Sequence, residues 1–410
     1  MIKEEKIIVF DDVIVIPSLS PVEPSQVDLR TMVTGNIELY VPLVSSPMDT
    51  VTEHQMAVKL AKLGGIGVIH RNMSIDDQLH QVILVKETDT TSLLEDIASR
   101  GNNINLHLSG SRCKLTIEDV ELYNQDEMDE ILSVCRLKSR YPIKPVTGKD
   151  GLLAVGAAVS PFDLRRIKKL DGVADILVVD VAHAHNVNVL NSLSKVSRDI
   201  ESDLIVGNIG TREAVLDVIA KLDKVDGLRV GISSGSICST GEVTGAAAPT
   251  LWAVIKAREA LEELGLHGKV PIIADGGIRS PADIVKSLIA GASAVMVGRM
   301  IAGTRESPSQ LISVGGGVYK QYRGMASPSS TRRRYAVDRY GGNVKKVSEG
   351  VEGLVPYSGS LASVVEHVVY SLQAGLGYAG AARIRDAWKA RLGLLSESAK
   401  KEIKPHDLVT

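Results

Sequence analysis

The chain has 410 residues, and its 47 Lys+Arg against 49 Asp+Glu leave a net charge of −2, so no basic field points to nucleic acid or an anionic membrane. Aromatic residues make up only 3%, so a core of the size this length permits must be built from Val, Ile, Leu and Ala. The opening MIKEEKIIVFDD lacks the apolar run of a secretory signal, and no window reaches the ~18 uncharged apolar residues of a membrane span. Cys113, Cys135 and Cys238 form neither a disulfide framework nor a zinc spacing, which reads as a cytoplasmic protein with reduced thiols.

Taken in chain order, short apolar runs alternate with stretches of helical period. VPLVSS (41–46) precedes the periodic TEHQMAVKLAKL (52–63), and GIGVIH (65–70) comes next. A polar segment, 88–145, then intervenes, with one helix expected at 126–137. The alternation resumes with LLAVGAAV (152–159), DILVVDV (175–181), DLIVGNI (203–209) and GLRVGIS (227–233). VPIIADGG (270–277), the helical PADIVKSLIA (281–290) and ASAVMVG (292–298) complete it. Runs that are apolar throughout suit parallel strands buried on both faces. Eight of them predict an α/β fold, a (β/α)₈ barrel. The competing fold is an open doubly wound sheet, but no strand is followed directly by a GxGxxG turn. The barrel is expected from 1–87 and 146–410, with 88–145 as a short insertion. Within the barrel, the Gly-, Ser- and Arg-rich stretch 313–358 reads as an active-site loop and flap.

In such a barrel the chemistry lies at the C-terminal ends of the strands. That rule selects SSPMD (45–49), HRN (70–72), DVAHAHN (180–186), GNIGT (207–211), SSGSICST (233–240), DGGI (275–278) and GRM (298–300). The last two follow strands seven and eight, where glycine lets backbone N–H groups approach a phosphate and Arg299 offers a forked donor. Cys238 sits among small residues in GISSGSICSTGEVTG (231–245), and a thiolate there would be nucleophilic. A lone cysteine is as often an inert buried residue, and spacing alone does not decide between the two. His183 and His185 alternate along one strand end, yet no third and fourth metal ligand accompanies them. Asp180 ends a strongly apolar strand, where a carboxylate needs a partner.

With those residues in view, the chain resembles the IMP dehydrogenase / GMP reductase family over almost its whole length. The resemblance is carried by FDDVIVIP (10–17), SSPMDTVTE (45–53), GGIGVIHRNMS (64–74), VVDVAHAHN (178–186), GSICST (235–240) and IIADGGIRSPADIVK (272–286). YRGMAS (322–327), EGVEGLVPYSGSL (349–361), GLGYAGA (375–381) and PHD (405–407) add to it.

The resemblance implies NAD-dependent oxidation of IMP to XMP, with Cys238 adding to C2 of the purine and a covalent thioimidate then hydrolysed. Thr240 would assist the water. Arg339 and Tyr340 would activate it from a flap at 328–348. Ser46, Met48, Asn208, Arg229, Ser236, Asp275, Gly276, Gly277, Gly298, Arg299, Tyr322, Gly324, Met325, Ala326 and Glu349 match nucleotide-binding positions. Asp275 would bind the ribose and Glu349 the base. Asp180, Val181, Ala182, Asn208, Gly231, Ile232 and Ser233 match dinucleotide contacts. Carbonyls of Ser233, Gly235 and Cys238 match a K⁺ site, with serines at 233 and 234 where the family has a GxGxGS loop. The insertion is too short for the family's paired CBS domains, and a homotetramer or larger homo-oligomer is implied. GMP reductase, which converts GMP to IMP with NADPH, is the nearest alternative. Arg71 stands where that enzyme carries a lysine. A catalytically silent nucleotide-binding paralogue is a third reading.

Overall fold

The computed structural model describes residues 6–100, 104–109, 112–117, 124–332, 335 and 349–403, with backbone alone over 98–117. Eight parallel strands close into one barrel: β1 (Leu43–Ser45), β2 (Ile66–Ile69), β3 (Val155–Val159), β4 (Ile176–Val179), β5 (Asp203–Ile209), β6 (Gly227–Val230), β7 (Ile272–Asp275) and β8 (Ala294–Val297). Closure is made by β8 on β1, where Val295 pairs with Leu43 and Val297 with Ser45. All eight lie within the predicted runs.

Alternation along the strands divides the core in two. Val44, Val68, Ala158, Val178, Ile205, Ile273 and Met296 gather in one cluster that fills the barrel. Their neighbours Leu43, Ile69, Val179, Val206, Val230 and Val295 face the helices, in the larger cluster. The helices begin where the sequence supplies a cap. In Pro281–Ala290, for example, Ser280 and Asp283 form a capping box and Pro281 takes the first turn. Between β5 and β6 the register shifts across Asn208, as Gly207 pairs with Arg229 and Ile209 with Val230.

The segment 88–145 is sewn onto the barrel. Its helix Gln125–Arg140, a little longer than the expected 126–137, lies against the closing helix Leu361–Tyr378. Ile131, Val134 and Leu137 enter the main core. Arg136 grips Glu366 through Nε and Nη2, at 2.6 and 2.9 Å. Buried Glu130 pairs with Lys59 and Arg305, and Lys62 reaches Asp96 at 2.6 Å. One expectation is corrected here. Cys135, on the inner face of that helix, is disulfide-bonded, whereas Cys238 is free. The helix packs against the strand Arg112–Ile117 of an adjacent β-hairpin, and residue spacing alone carries no trace of the bond. No helix among the described residues is long and apolar enough to cross a membrane.

Candidate active site

A cavity of about 450 Å³ opens at the C-terminal ends of the strands. Its wall is drawn from the loops after β1, β4, β6, β7 and β8, from Asn208 in β5, and from the strand Gly317–Arg323 with residues 324–326 beyond it. Two sets of polar groups converge there.

The first surrounds the sulfur. Cys238 is exposed, and its thiol lies 3.3 Å from Thr240 Oγ1 and 3.9 Å from Ser233 Oγ. Thr240 in turn donates to Glu349 Oε2 at 2.9 Å. A hydrogen-bonded path thus runs from sulfur to carboxylate through one hydroxyl. The loop is fixed from two sides. Cys238 N–H donates to Gly235 O at 3.0 Å, while Ser239 N–H donates to Glu349 O at 3.1 Å and Val351 N–H to Ile237 O at 3.0 Å. Ser233 adopts φ 62°, the left-handed conformation that glycine takes without strain. Its hydroxyl accepts the N–H of Gly241 at 2.6 Å, which ties the strained residue to the short helix at Thr240–Thr244.

The second set is built on Asp275. Its Oδ2 accepts from Arg229 Nε and Asn208 Nδ2, each at 2.8 Å. Gly276 and Gly277 come next with positive φ, and Gly298 packs against Tyr322, whose hydroxyl a Cβ at 298 would meet at 2.9 Å. Tyr322 itself is raised to about 12, first by burial, against a hydrogen bond with Ser236 that lowers it. Backbone N–H groups, glycines and Arg299 here can hold a phosphate, and the Asp275 carboxylate can hold a diol.

An exposed thiol at a cavity lined by glycines and the Asp275 carboxylate limits the candidates, and comparison with known proteins decides among families. A family model described as the IMP dehydrogenase / GMP reductase domain matches residues 7–406.

The chain belongs to that family.

Among its relatives, an inosine-5′-monophosphate dehydrogenase of Korarchaeum cryptofilum is 41% identical over 97% of this chain and 96% of its own length. One from Borreliella burgdorferi is 40% identical over 97% and 96%. Another, from Methanocaldococcus jannaschii, is 37% identical over 100% and 97%. As a member of the IMP dehydrogenase / GMP reductase family, the chain is an oxidoreductase.

Against the positions this family suggested, the cavity wall includes Ser46, Met48, Asn208, Arg229, Ser236, Asp275, Gly276, Gly277, Gly298, Arg299, Tyr322, Gly324, Met325, Ala326 and Glu349. Ala182, Gly231, Ile232, Ser233, Gly235, Cys238 and Thr240 also line it. Asp180 and Val181 do not. Asp180 is fully buried behind the wall, where its Oδ1 accepts from Arg229 Nη1 at 2.9 Å and its carbonyl from Arg71 Nη2 at 3.0 Å. Its place in this structure is to hold Arg229. Arg71 is likewise buried and away from the cavity. Arg339 and Tyr340 lie outside the described residues.

His185 meets Asp217 at 2.7 Å, and half-buried His183 has its pKa lowered by burial and by His185. Sequence reasoning passed over Phe10 and Asp11, which close one side of the cavity. Lys286 holds them by donating to Phe10 O at 2.9 Å. It also missed Thr250, whose hydroxyl donates to Asp275 O at 2.7 Å and whose N–H donates to Ser234 Oγ at 3.1 Å. A threonine at a helix start reads as a cap, so nothing local marked it.

Proposed function

We propose that the protein oxidises IMP to XMP, with Cys238 as nucleophile and NAD as hydride acceptor. The observation that carries this reading is the line from Cys238 Sγ through Thr240 Oγ1 to Glu349, at a cavity whose wall also offers Asp275 and the glycines that follow β7 and β8. In the first step the Cys238 thiolate, its proton given up to solvent, forms an S–C2 bond and the hydrogen on C2 leaves with its electron pair to NAD. In the second, water adds at C2, the S–C2 bond breaks, and the thiol takes back a proton. The Thr240 hydroxyl, between sulfur and carboxylate, can pass that proton to the departing sulfur. Asp275, fixed by Arg229 and Asn208, orients the ribose, and the N–H groups about Gly277 and Gly298 hold the phosphate.

The residues of the adjoining wall fit a dinucleotide. Among the described residues Asn208 Oδ1 is a buried acceptor without a hydrogen-bond partner, suited to an amide donor, and Gly231 leaves room that a Cβ would lose against Asp275 O at 2.3 Å. Bound there by Ala182, Asn208, Gly231, Ile232 and Ser233, NAD supplies the acceptor for the hydride. Arg339 and Tyr340 are assigned to water activation in the second step by resemblance. The K⁺ site is part of the same reading. Main-chain oxygens of Ser233, Gly235 and Cys238 are hard donors, and residue 233 turns left-handed as a glycine would. A higher thermal midpoint in K⁺ than in equal Na⁺ is the expected sign. The homotetramer, the cytoplasmic location and the short insertion at 88–145 in place of CBS domains complete the proposal, the first being open to sedimentation.

The deciding experiment supplies IMP and NAD to the purified protein and follows NADH and XMP together. Equal amounts of both are expected. Failure with IMP, accompanied by NADPH-dependent conversion of GMP to IMP, would assign the reductase instead. Tight IMP binding without either reaction would assign a silent nucleotide-binding protein.

A further inference from the structure

Three loops meet on the carboxylate of Asp49, just behind the cavity wall. Asp49 follows Met48 in the turn after β1, and its side chain is 0% exposed. Arg323, the last residue of the strand Gly317–Arg323, grips it with two prongs, Nε to Oδ1 at 3.0 Å and Nη2 to Oδ2 at 2.7 Å. Asn72, after β2, donates to Asp49 Oδ2 at 2.8 Å and to Ser330 Oγ at 3.0 Å. The backbone N–H of Arg323 donates to Thr50 Oγ1 at 3.3 Å, so the grip involves main chain as well. Burial opposes the charge on Asp49, but the Arg323 guanidinium and the Asn72 amide outweigh it and keep the carboxyl below its ordinary value.

A buried ion pair contributes little net stability, because desolvation offsets the attraction. What a two-pronged pair does supply is fixed geometry. Here the geometry it fixes is that of two cavity walls. Ser46 and Met48 lie directly before Asp49 in the chain, and Gly324, Met325 and Ala326 directly after Arg323. Neither Asp49 nor Arg323 lines the cavity. We propose that Asp49 is a positioning residue for the nucleotide site, its pairing with Arg323 setting the distance between the Ser46–Met48 wall and the 324–326 wall.

The inference rests on the reading of this cavity as the IMP site, and equilibrium binding separates the two. IMP binding is measured without NAD, so that no turnover occurs, for the wild type, Asp49→Asn, Arg323→Gln and the double variant. Each single change is expected to weaken IMP about tenfold, and the double variant no further, since the two residues act as one unit. The rate of Cys238 alkylation by iodoacetamide should stay within about twofold, because that loop is held by Ser233 and Glu349. Arg323→Lys keeps the charge and loses the fork, and should weaken IMP by about threefold even if Asp49→Asn fails to fold. Absence of IMP binding by the wild type would overturn the reading of the cavity. Wild-type affinity in the single variants, additive losses in the double variant, or an equal fall in alkylation would overturn the positioning role alone.

Discussion

Thr240 Oγ1 stands 3.3 Å from the sulfur of Cys238 and gives its own proton to Glu349 at 2.9 Å. A hydroxyl so placed can relay a proton but cannot be replaced by a methyl group of the same shape. Thr240→Val is therefore expected to slow steady-state turnover by about ten- to a hundredfold, the range for loss of a positioned proton-transfer group. The initial burst of NADH should survive, because bond formation at sulfur needs no donor from Thr240. Rapid mixing resolves the two phases. A burst slowed as much as turnover would place Thr240 in the first step.

Arg229 joins two carboxylates that do not otherwise meet, Asp180 at 2.9 Å and Asp275 at 2.8 Å. All three are largely buried, so Arg229→Met leaves two carboxylates without their shared partner. The expected cost is about 3–5 kcal/mol of stability, as for breaking other buried pairs. Asp180→Asn keeps a hydrogen-bond acceptor facing Arg229 and should cost less. Thermal unfolding of both variants ranks them, and the opposite order would show that Asp180 matters by its charge rather than as a support for Arg229.

These two groups also show how far the sequence could be read. The barrel strands were legible because parallel strands buried on both faces appear as unbroken apolar runs. Cys238, Asp275 and the glycines were legible because strand ends in a barrel are where chemistry sits. Asp180 was legible only as a carboxylate in need of a partner. Its partners, Arg229 in β6 and Arg71 in the turn after β2, come from elsewhere in the chain, and barrel closure brings them together. The same holds for Phe10, carried to the cavity by Lys286, and for the insertion, whose ion pairs with Lys59, Arg305 and Glu366 leave no periodic trace.

Ser233 departs from the family's loop in a way that energies can resolve. Its left-handed conformation costs about 1–2 kcal/mol relative to glycine. Its hydroxyl recovers about 1 kcal/mol through the bond to Gly241 N–H at 2.6 Å. Ser233→Gly exchanges one term for the other and should leave the thermal midpoint nearly unchanged. Ser233→Ala keeps the strain and loses the bond, so its midpoint should fall below both. Equal midpoints for Ala and Ser would mean that the hydroxyl does not hold the loop.

Asp49 adds a pH-dependent contribution to stability through its contact with Arg323. Its folded pKa lies below the ordinary 3.8, because Arg323 and Asn72 outweigh the burial that pushes it up. A carboxylate depressed on folding contributes stability that is full above its unfolded value and is lost as pH falls through its folded value. The wild type should therefore lose this contribution only below about pH 3.8. Asp49→Asn, which cannot titrate, should be less stable than the wild type at neutral pH. The difference should narrow steadily as the pH falls below 4, since protonation removes from the wild type what the substitution has already removed from the variant. Urea unfolding at a series of pH values measures the gap. A gap that is constant from neutral to acid pH would mean that Asp49 is not held as a carboxylate by Arg323, and the positioning role argued for it would lose its electrostatic basis.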